Sequence, residues 1–158
     1  MGVEPTRIRA ATKEDVDAIA DLIARTKRLN SEFDPLFGVA QHAQDKARSY
    51  LLDSLKRPNV VLLVAARGAK VVGAIRAELR DREFYEPQTV GHITDFYILP
   101  EFRRSALGKQ VIEKMSVELR KMGALMITCE VPTRNEIAVR FYEKNGFRSL
   151  LQTFAKLD

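Results

Sequence analysis

The stretch that decides the fold is His92–Met115, H-I-T-D-F-Y-I-L-P-E-F-R-R-S-A-L-G-K-Q-V-I-E-K-M. It opens as a strand, with apolar or aromatic residues at Ile93, Phe96, Tyr97, Ile98 and Leu99. Pro100 ends that strand, because proline has no N–H to give to a ladder. The chain resumes as a helix, with Leu107, Val111, Met115 and Leu119 one turn apart. Between the two runs lies the turn Arg103-Arg104-Ser105-Ala106-Leu107-Gly108. A strand, a small-residue turn and a helix start leave unpaired N–H groups at the positive end of a helix dipole. Two arginines add charge and fork-shaped donors. The stretch predicts a phosphate cradle, set against the plainer reading of a surface turn that binds nothing. It is neither a Walker loop nor a dinucleotide fingerprint, since G-x-x-x-x-G-K-[ST] and G-x-G-x-x-G are both missing.

Upstream, Thr6–Ala10 reads as a first strand. Thr12 then caps a helix, with Asp15 three residues on as a partial capping box. Val16, Ile19, Leu22, Ile23 and Leu29 carry the helical spacing until Asn30–Gly38 breaks it. That loop holds Phe33, Leu36 and Phe37, which either pack beneath it or wall a pocket. A second helix is expected from about Ala40 to Lys56, with Ala47, Tyr50, Leu51 and Leu55 on one face. Val60–Ala66 is a continuous apolar run, hence a buried strand. Arg67-Gly68-Ala69-Lys70 turns the chain into Val71–Leu79, the second arm of a hairpin. Asp81–Gln88 is a polar connection carrying Phe84 and Tyr85, for which loop packing is the simpler reading.

Downstream, Gly123 caps the helix and Leu125–Val131 is the next strand. A helix-crossed pair of strands is normally parallel and right-handed. Asn135–Asn145 is the last helix, stopped by Gly146, and Arg148–Lys156 is expected to close as a final strand. The sum is an α/β (α+β) chain: a mixed central sheet, an antiparallel N-terminal meander, a parallel βαβ unit and about four helices. One domain spanning 1–158 is expected, since the 158 residues show no internal repeat, low-complexity segment or linker.

Composition excludes several classes. A hydrophobic content of 46% is ordinary for a globular chain, so a core is available. No apolar run approaches the roughly 20 residues of a membrane helix. The first residues, M-G-V-E-P-T-R, lack an apolar secretory core. The single cysteine, Cys129, rules out a disulfide within the chain, and a cytoplasmic address is expected by default. A net charge of +5 favours polyanionic partners, such as a phosphate-bearing coenzyme or nucleic acid. Nucleic acid is the weaker reading, because acids are interspersed among the bases and no aromatic–basic motif stands out. No Cys or His spacing suggests zinc, and His42 is isolated.

Two blocks together resemble the GCN5-related N-acetyltransferases. The first is the strand, Pro100 and the turn, similar to that family's [RQ]-x-x-G-x-[GA] opening a helix. Arg103 takes the first place and Gly108 the last; Ala106 stands where the family usually has its first glycine. If position 106 needs positive φ, alanine costs roughly 1 kcal/mol or more; if it lies in the helix, alanine is harmless. The second block is Cys129–Phe147, similar to the family's N-x-x-A-x-x-x-Y-x-x-x-G-F on a helix after a strand. The resemblance implies acetyl-CoA as co-substrate, with no metal, and an amine as acceptor. It implies phosphate contacts from Arg103, Arg104, Ser105, Ala106, Leu107, Gly108 and Lys109. It further implies backbone donors around Phe96, Tyr97 and Ile98, and Asn135 on the pantetheine arm.

Acyl transfer from a thioester needs a neutral amine, a polarised carbonyl and a protonated leaving thiolate. A lysine-like amine is neutral in only about one molecule in two thousand at pH 7, so a base helps. His92 is the first candidate; the plainer alternative is a solvated or hydrogen-bonded strand-end histidine. Glu130, five residues before Asn135, is the second, set against a merely solvated tip. Asp95 is weaker, since strand alternation places it opposite His92 and Thr94. Tyr142 falls where the family carries its general acid, although core packing beside Phe141 is the competing role. Cys129 reads as a small core residue rather than an acyl-carrying nucleophile.

The leading expectation is therefore an acetyl-CoA-dependent N-acetyltransferase, passing acetyl directly to an amine in a ternary complex. The acceptor could be a protein N-terminus, a lysine or a small molecule. The alternative is a non-catalytic acyl-CoA-binding sensor or interaction module, towards which Ala106 leans. A homodimer stays open.

Overall fold

In the computed structural model, which describes residues 2–158, five strands form one sheet. They are β1 (Thr6–Ala10), β2 (Val60–Arg67), β3 (Lys70–Asp81), β4 (Thr89–Ile98) and β5 (Met126–Cys129), in that order across the sheet. β1 to β4 pair antiparallel and β5 joins β4 in parallel, as the helix crossover requires. Four helices flank them: α1 (Val16–Phe33), α2 (Ala43–Ser54), α3 (Leu107–Lys121) and α4 (Glu136–Lys144).

Neighbouring residues of β4 show which helix covers which face. Asp95 reaches Tyr50 on α2 and Lys27 on α1. Phe96, the next residue, stacks on Phe141 of α4 with ring centroids 5.7 Å apart. Thus α1 and α2 cover one face and α4 the other. α3 lies with α4: a Cβ at Gly91 would strike Leu119, and one at Gly108 would strike Phe141. The core between these layers includes Val64, Leu51, Met115 and Leu119, each with no exposed surface.

Two irregularities shape the site. Arg76 pairs with Asp95 and Ala77 with Ile93, so Thr94 is an extra residue in β4. Such a bulge puts two consecutive residues on the same side of the sheet. Thr94 and Asp95 both reach the Tyr50 hydroxyl, at 3.3 and 3.2 Å. The expected alternation, which put Asp95 opposite Thr94, fails for this reason. Secondly, β5 stops at Cys129 opposite Ile93, while β4 runs on to Ile98. The two strands part there, leaving the outer edge of Thr94–Ile98 without a ladder partner.

Several boundaries differ from those expected, among them β5, which spans Met126–Cys129 and not Leu125–Val131. α1 does not break at Asn30 but continues to Phe33. Ser31 returns its hydroxyl to the Arg28 carbonyl at 2.6 Å, and it is Pro35 that forces Asp34 into extended backbone. α2 begins at Ala43, after His42 at φ 57°. The expected last strand, Arg148–Lys156, is absent: residues 147–158 form no strand. Leu150 and Phe154 would fall on one face of such a strand and Leu151 and Ala155 on the other, so no single apolar face directs it. The four-residue β5 also offers a short edge.

Candidate active site

The predicted cradle is a turn most of whose backbone amides are left unpaired. The 3₁₀ turn Pro100–Phe102 leads through Arg103 to Ala106, which caps α3. The Leu107 amide is met by the Ser105 hydroxyl at 3.3 Å, and that hydroxyl donates to Phe102. Among the described residues, the amides of Arg104, Ser105, Ala106, Gly108 and Lys109 have no acceptor in the chain. Ala106 lies at φ −71°, so alanine is unstrained there. Arg103 is fixed: its Nε donates to the Ile98 carbonyl at 2.7 Å and its guanidinium lies 4.7 Å from the Tyr97 ring centroid. Arg104 and Lys109 are exposed. These donors at the dipole-positive end of a fifteen-residue helix fit a diphosphate.

The parted strands continue from that turn. Leu99 donates to the Val72 carbonyl at 2.9 Å. By the two-residue alternation of an antiparallel ladder, the Tyr97 amide faces β3 as well. The amides of Phe96 and Ile98 therefore face the gap that β5 has left. Asn135 caps α4 across this gap: it is buried, and its Oδ1 accepts from Ala138 N at 3.1 Å. Its Nδ2 has no partner in the chain among the described residues.

Tyr142 lies buried on α4 in a run of rings, 5.3 Å from Phe141 and 5.2 Å from Phe147. Its phenol neighbours the half-buried Cys129 thiol, at the point where β5 leaves β4. Burial, with Cys129 beside it, pushes the phenol far above its ordinary range, so it stays protonated. Burial likewise raises the thiol to about 11, which leaves Cys129 a poor nucleophile.

His92 and Glu130, weighed separately in the sequence, lie together. His92 Nδ1 is 2.7 Å from the Thr128 hydroxyl, and its Nε2 is 3.7 Å from a Glu130 oxygen. His92 is buried, whereas the Glu130 side chain is 76% exposed. Burial, then the charge of Arg80, lower the imidazole's pKa; Glu130 and Glu78 oppose this less strongly. This favours the neutral form of the ring.

Sequence reasoning missed the polar cluster beside it. Arg76 is 1% exposed, yet meets Ser54, Thr94 and Glu78 at 2.8, 2.9 and 3.2 Å and lies 4.2 Å from the Tyr50 ring centroid. Lys27 reaches Asp95 at 3.2 Å. The only signal was a lone arginine in the apolar run Val71–Leu79. The large apolar side chains of the loops are exposed: Leu36 and Phe37 near half, and Phe84 and Tyr85 beyond that. The simpler expectation, packing within the loop, is met in part by Tyr85, whose ring centroid lies 4.9 Å from the Arg82 guanidinium, while Phe84 stands in solvent. Among the described residues no cluster of three His, Cys, Asp or Glu could hold a metal ion, and no helix is long and apolar enough to cross a membrane.

A mixed sheet parted between two strands, with free amides at one end and a buried phenol at the other, has the shape to take a long coenzyme bearing a diphosphate. Comparison with known proteins agrees. The Acetyltransferase (GNAT) family model matches residues 23–147. The chain is 29% identical over 149 residues to the aminoalkylphosphonate N-acetyltransferase of Salmonella typhimurium, covering 94% of this chain and 89% of that one. Its fold matches aminoglycoside N-acetyltransferase AAC(6′)-Iy in complex with CoA, with TM-score 0.79 and 16% identity over 100% of this chain and 97% of that one. It also matches a predicted acetyltransferase with acetyl-CoA from Clostridium acetobutylicum, with TM-score 0.78 and 15% identity over 98% and 96%. The chain belongs to the GNAT family and is an acyltransferase that uses acetyl-CoA to acetylate amines.

Proposed function

We propose that the chain acetylates a primary amine by direct transfer within a ternary complex, with His92 as base and Tyr142 as acid. The carrying observation is placement: free amides start α3, β4 and β5 part after Ile93↔Cys129, the protonated Tyr142 phenol neighbours Cys129, and His92 belongs to the pair just before the parting. The bound thioester supplies an activated acetyl carbonyl. The amides of Arg104–Ala106, Gly108 and Lys109 hold the diphosphate, with Arg103, Arg104 and Lys109 adding charge. Phe96 and Ile98 offer N–H groups to the carbonyl, and the Asn135 amide reaches the pantetheine arm. His92 Nε2 takes a proton from the incoming ammonium, and Glu130, exposed beside it, hands that proton to water. Tyr142 gives its proton to the departing sulfur as the carbon–sulfur bond breaks, and the second proton shed by the attacking nitrogen restores the phenol.

Nothing in the structure favours the non-catalytic module, since its one support, Ala106, is unstrained. A thiol-release assay against a panel of amines tests the reading, with lysine peptides, protein N-termini and small aminated compounds as acceptors. Turnover with at least one class, lost in Tyr142→Phe, supports it. Tight coenzyme binding without turnover on any class would overturn it. The likeness to an aminoalkylphosphonate acetyltransferase makes small anionic amines the first acceptors to try.

A further inference from the structure

The two ring nitrogens of His92 face different environments. Nδ1 is tied to Thr128 at 2.7 Å, across the parallel pair His92↔Thr128 of β4 and β5. Nε2 looks outward, towards the exposed Glu130 carboxylate 3.7 Å away. Only Nε2 is therefore open to an acceptor. A neutral imidazole carries one proton, and a nitrogen that holds it cannot accept another. If Nε2 is the base, the proton must sit on Nδ1, and the hydroxyl it meets must accept it. We propose that Thr128 is a positioning residue: by accepting the Nδ1 proton it holds His92 in the tautomer whose Nε2 lone pair is free. This rests on the reading of His92 as the base.

The geometry explains the rest of the pocket's chemistry. Charged groups reach the ring from β3, where Glu78 and Arg80 lie, and from beyond β5, where Glu130 lies. None of them touches Nδ1, whose one hydrogen-bond partner among the described residues is Thr128. When Nε2 takes a proton from the amine, the new N–H points at Glu130, which stabilises the imidazolium and passes the proton on. The balance is simple: an N–H bond of the ammonium breaks, an Nε2–H bond forms, and the Nδ1–H bond is kept.

Nitrogen-15 NMR of the imidazole rings tests this without reference to turnover. The chain has two histidines, and His42→Gln, on an exposed residue, assigns the remaining signal. The expected spectrum of the native chain at neutral pH shows His92 protonated at Nδ1 and bare at Nε2. Thr128→Val, of nearly the same shape, should mix in the other tautomer, and Thr128→Ser should restore the first. In kinetics, Thr128→Val should lower kcat on the order of tenfold, a fraction of what a base contributes, with the KM for acetyl-CoA unchanged. Thr128→Ser should recover most of it. A native spectrum with the proton on Nε2 would overturn the proposal, as would wild-type kinetics in Thr128→Val. Should His92→Ala keep the native rate and pH profile, the base reading falls instead, whichever tautomer the spectrum shows.

Discussion

Gly108 lies beneath the ring of Phe141: a Cβ added to Gly108 would come 2.9 Å from Phe141 Cε2. The start of α3 and the body of α4 touch there, so the glycine is needed for close approach rather than for backbone freedom. Phe141 in turn meets Phe96 and Tyr142. Gly108→Ala should push that ring aside, destabilise the fold by about 1–3 kcal/mol and weaken coenzyme binding. Denaturant melts and calorimetric titration read the two effects. Unchanged values in both would show that Phe141 moves freely.

Ala106 gives the opposite expectation. At φ −71° a glycine gains nothing there, so Ala106→Gly should leave coenzyme affinity unchanged. It should lower stability by roughly 0.4–1 kcal/mol, through the freer unfolded chain. A marked gain in affinity would mean that position 106 takes another conformation in the complex.

Tyr142→Phe keeps the ring that Phe141 and Phe147 pack against and removes only the hydroxyl. The expected result is a fall in kcat on the order of 10²-fold with coenzyme affinity within a few-fold of native. Stopped-flow thiol release and equilibrium binding separate the two. A kcat that does not change would remove Tyr142 as the acid.

The acidic limb of the kcat/KM profile should report His92. Its folded pKa lies below the ordinary 6.5, chiefly through burial, so the base stays deprotonated and activity persists below that pH. Arg80 lowers the value and Glu130 raises it. Arg80→Gln should therefore move the limb to higher pH and Glu130→Gln to lower pH. Shifts of the opposite sign, or none in either variant, would point to another base.

Much of this was legible because local chemistry agreed with the fold. Pro100, the small residues of the turn and the spacing Leu107–Leu119 marked the strand, the cradle and the helix. Gly123 and Gly146 ended helices where expected, at φ 97° and 87°. The Thr94 bulge was not legible, since nothing in Ile93-Thr94-Asp95 distinguishes a bulge from plain alternation. That one extra residue moved Asp95 onto the face of Tyr50 and Arg76. The pairing of His92 with Glu130 depends on β4–β5 register, which periodicity does not carry. The last strand does not form although Arg148–Lys156 is rich in apolar residues, because these share no consistent face.

Asp15 ties the start of α1 to β1. It meets Arg9 at 2.7 and 3.0 Å and closes the capping box through the Thr12 amide at 2.8 Å. The Arg9 hydrogen bond holds its carboxyl below the usual carboxylate range. A depressed folded pKa gives stability that is full above the unfolded value of about 3.9 and is lost as pH falls through the folded one. Asp15→Asn should cost about 1–3 kcal/mol at pH 7 and flatten the acid side of the stability curve. Parallel curves for native and variant below pH 4 would contradict this.

The most direct test is a crystal structure of the chain with coenzyme A. The account predicts the diphosphate against the amides of Arg104–Ala106, Gly108 and Lys109, and the thiol in the gap between β4 and β5 near the Tyr142 hydroxyl. A diphosphate bound elsewhere, with those amides facing only water, would contradict it.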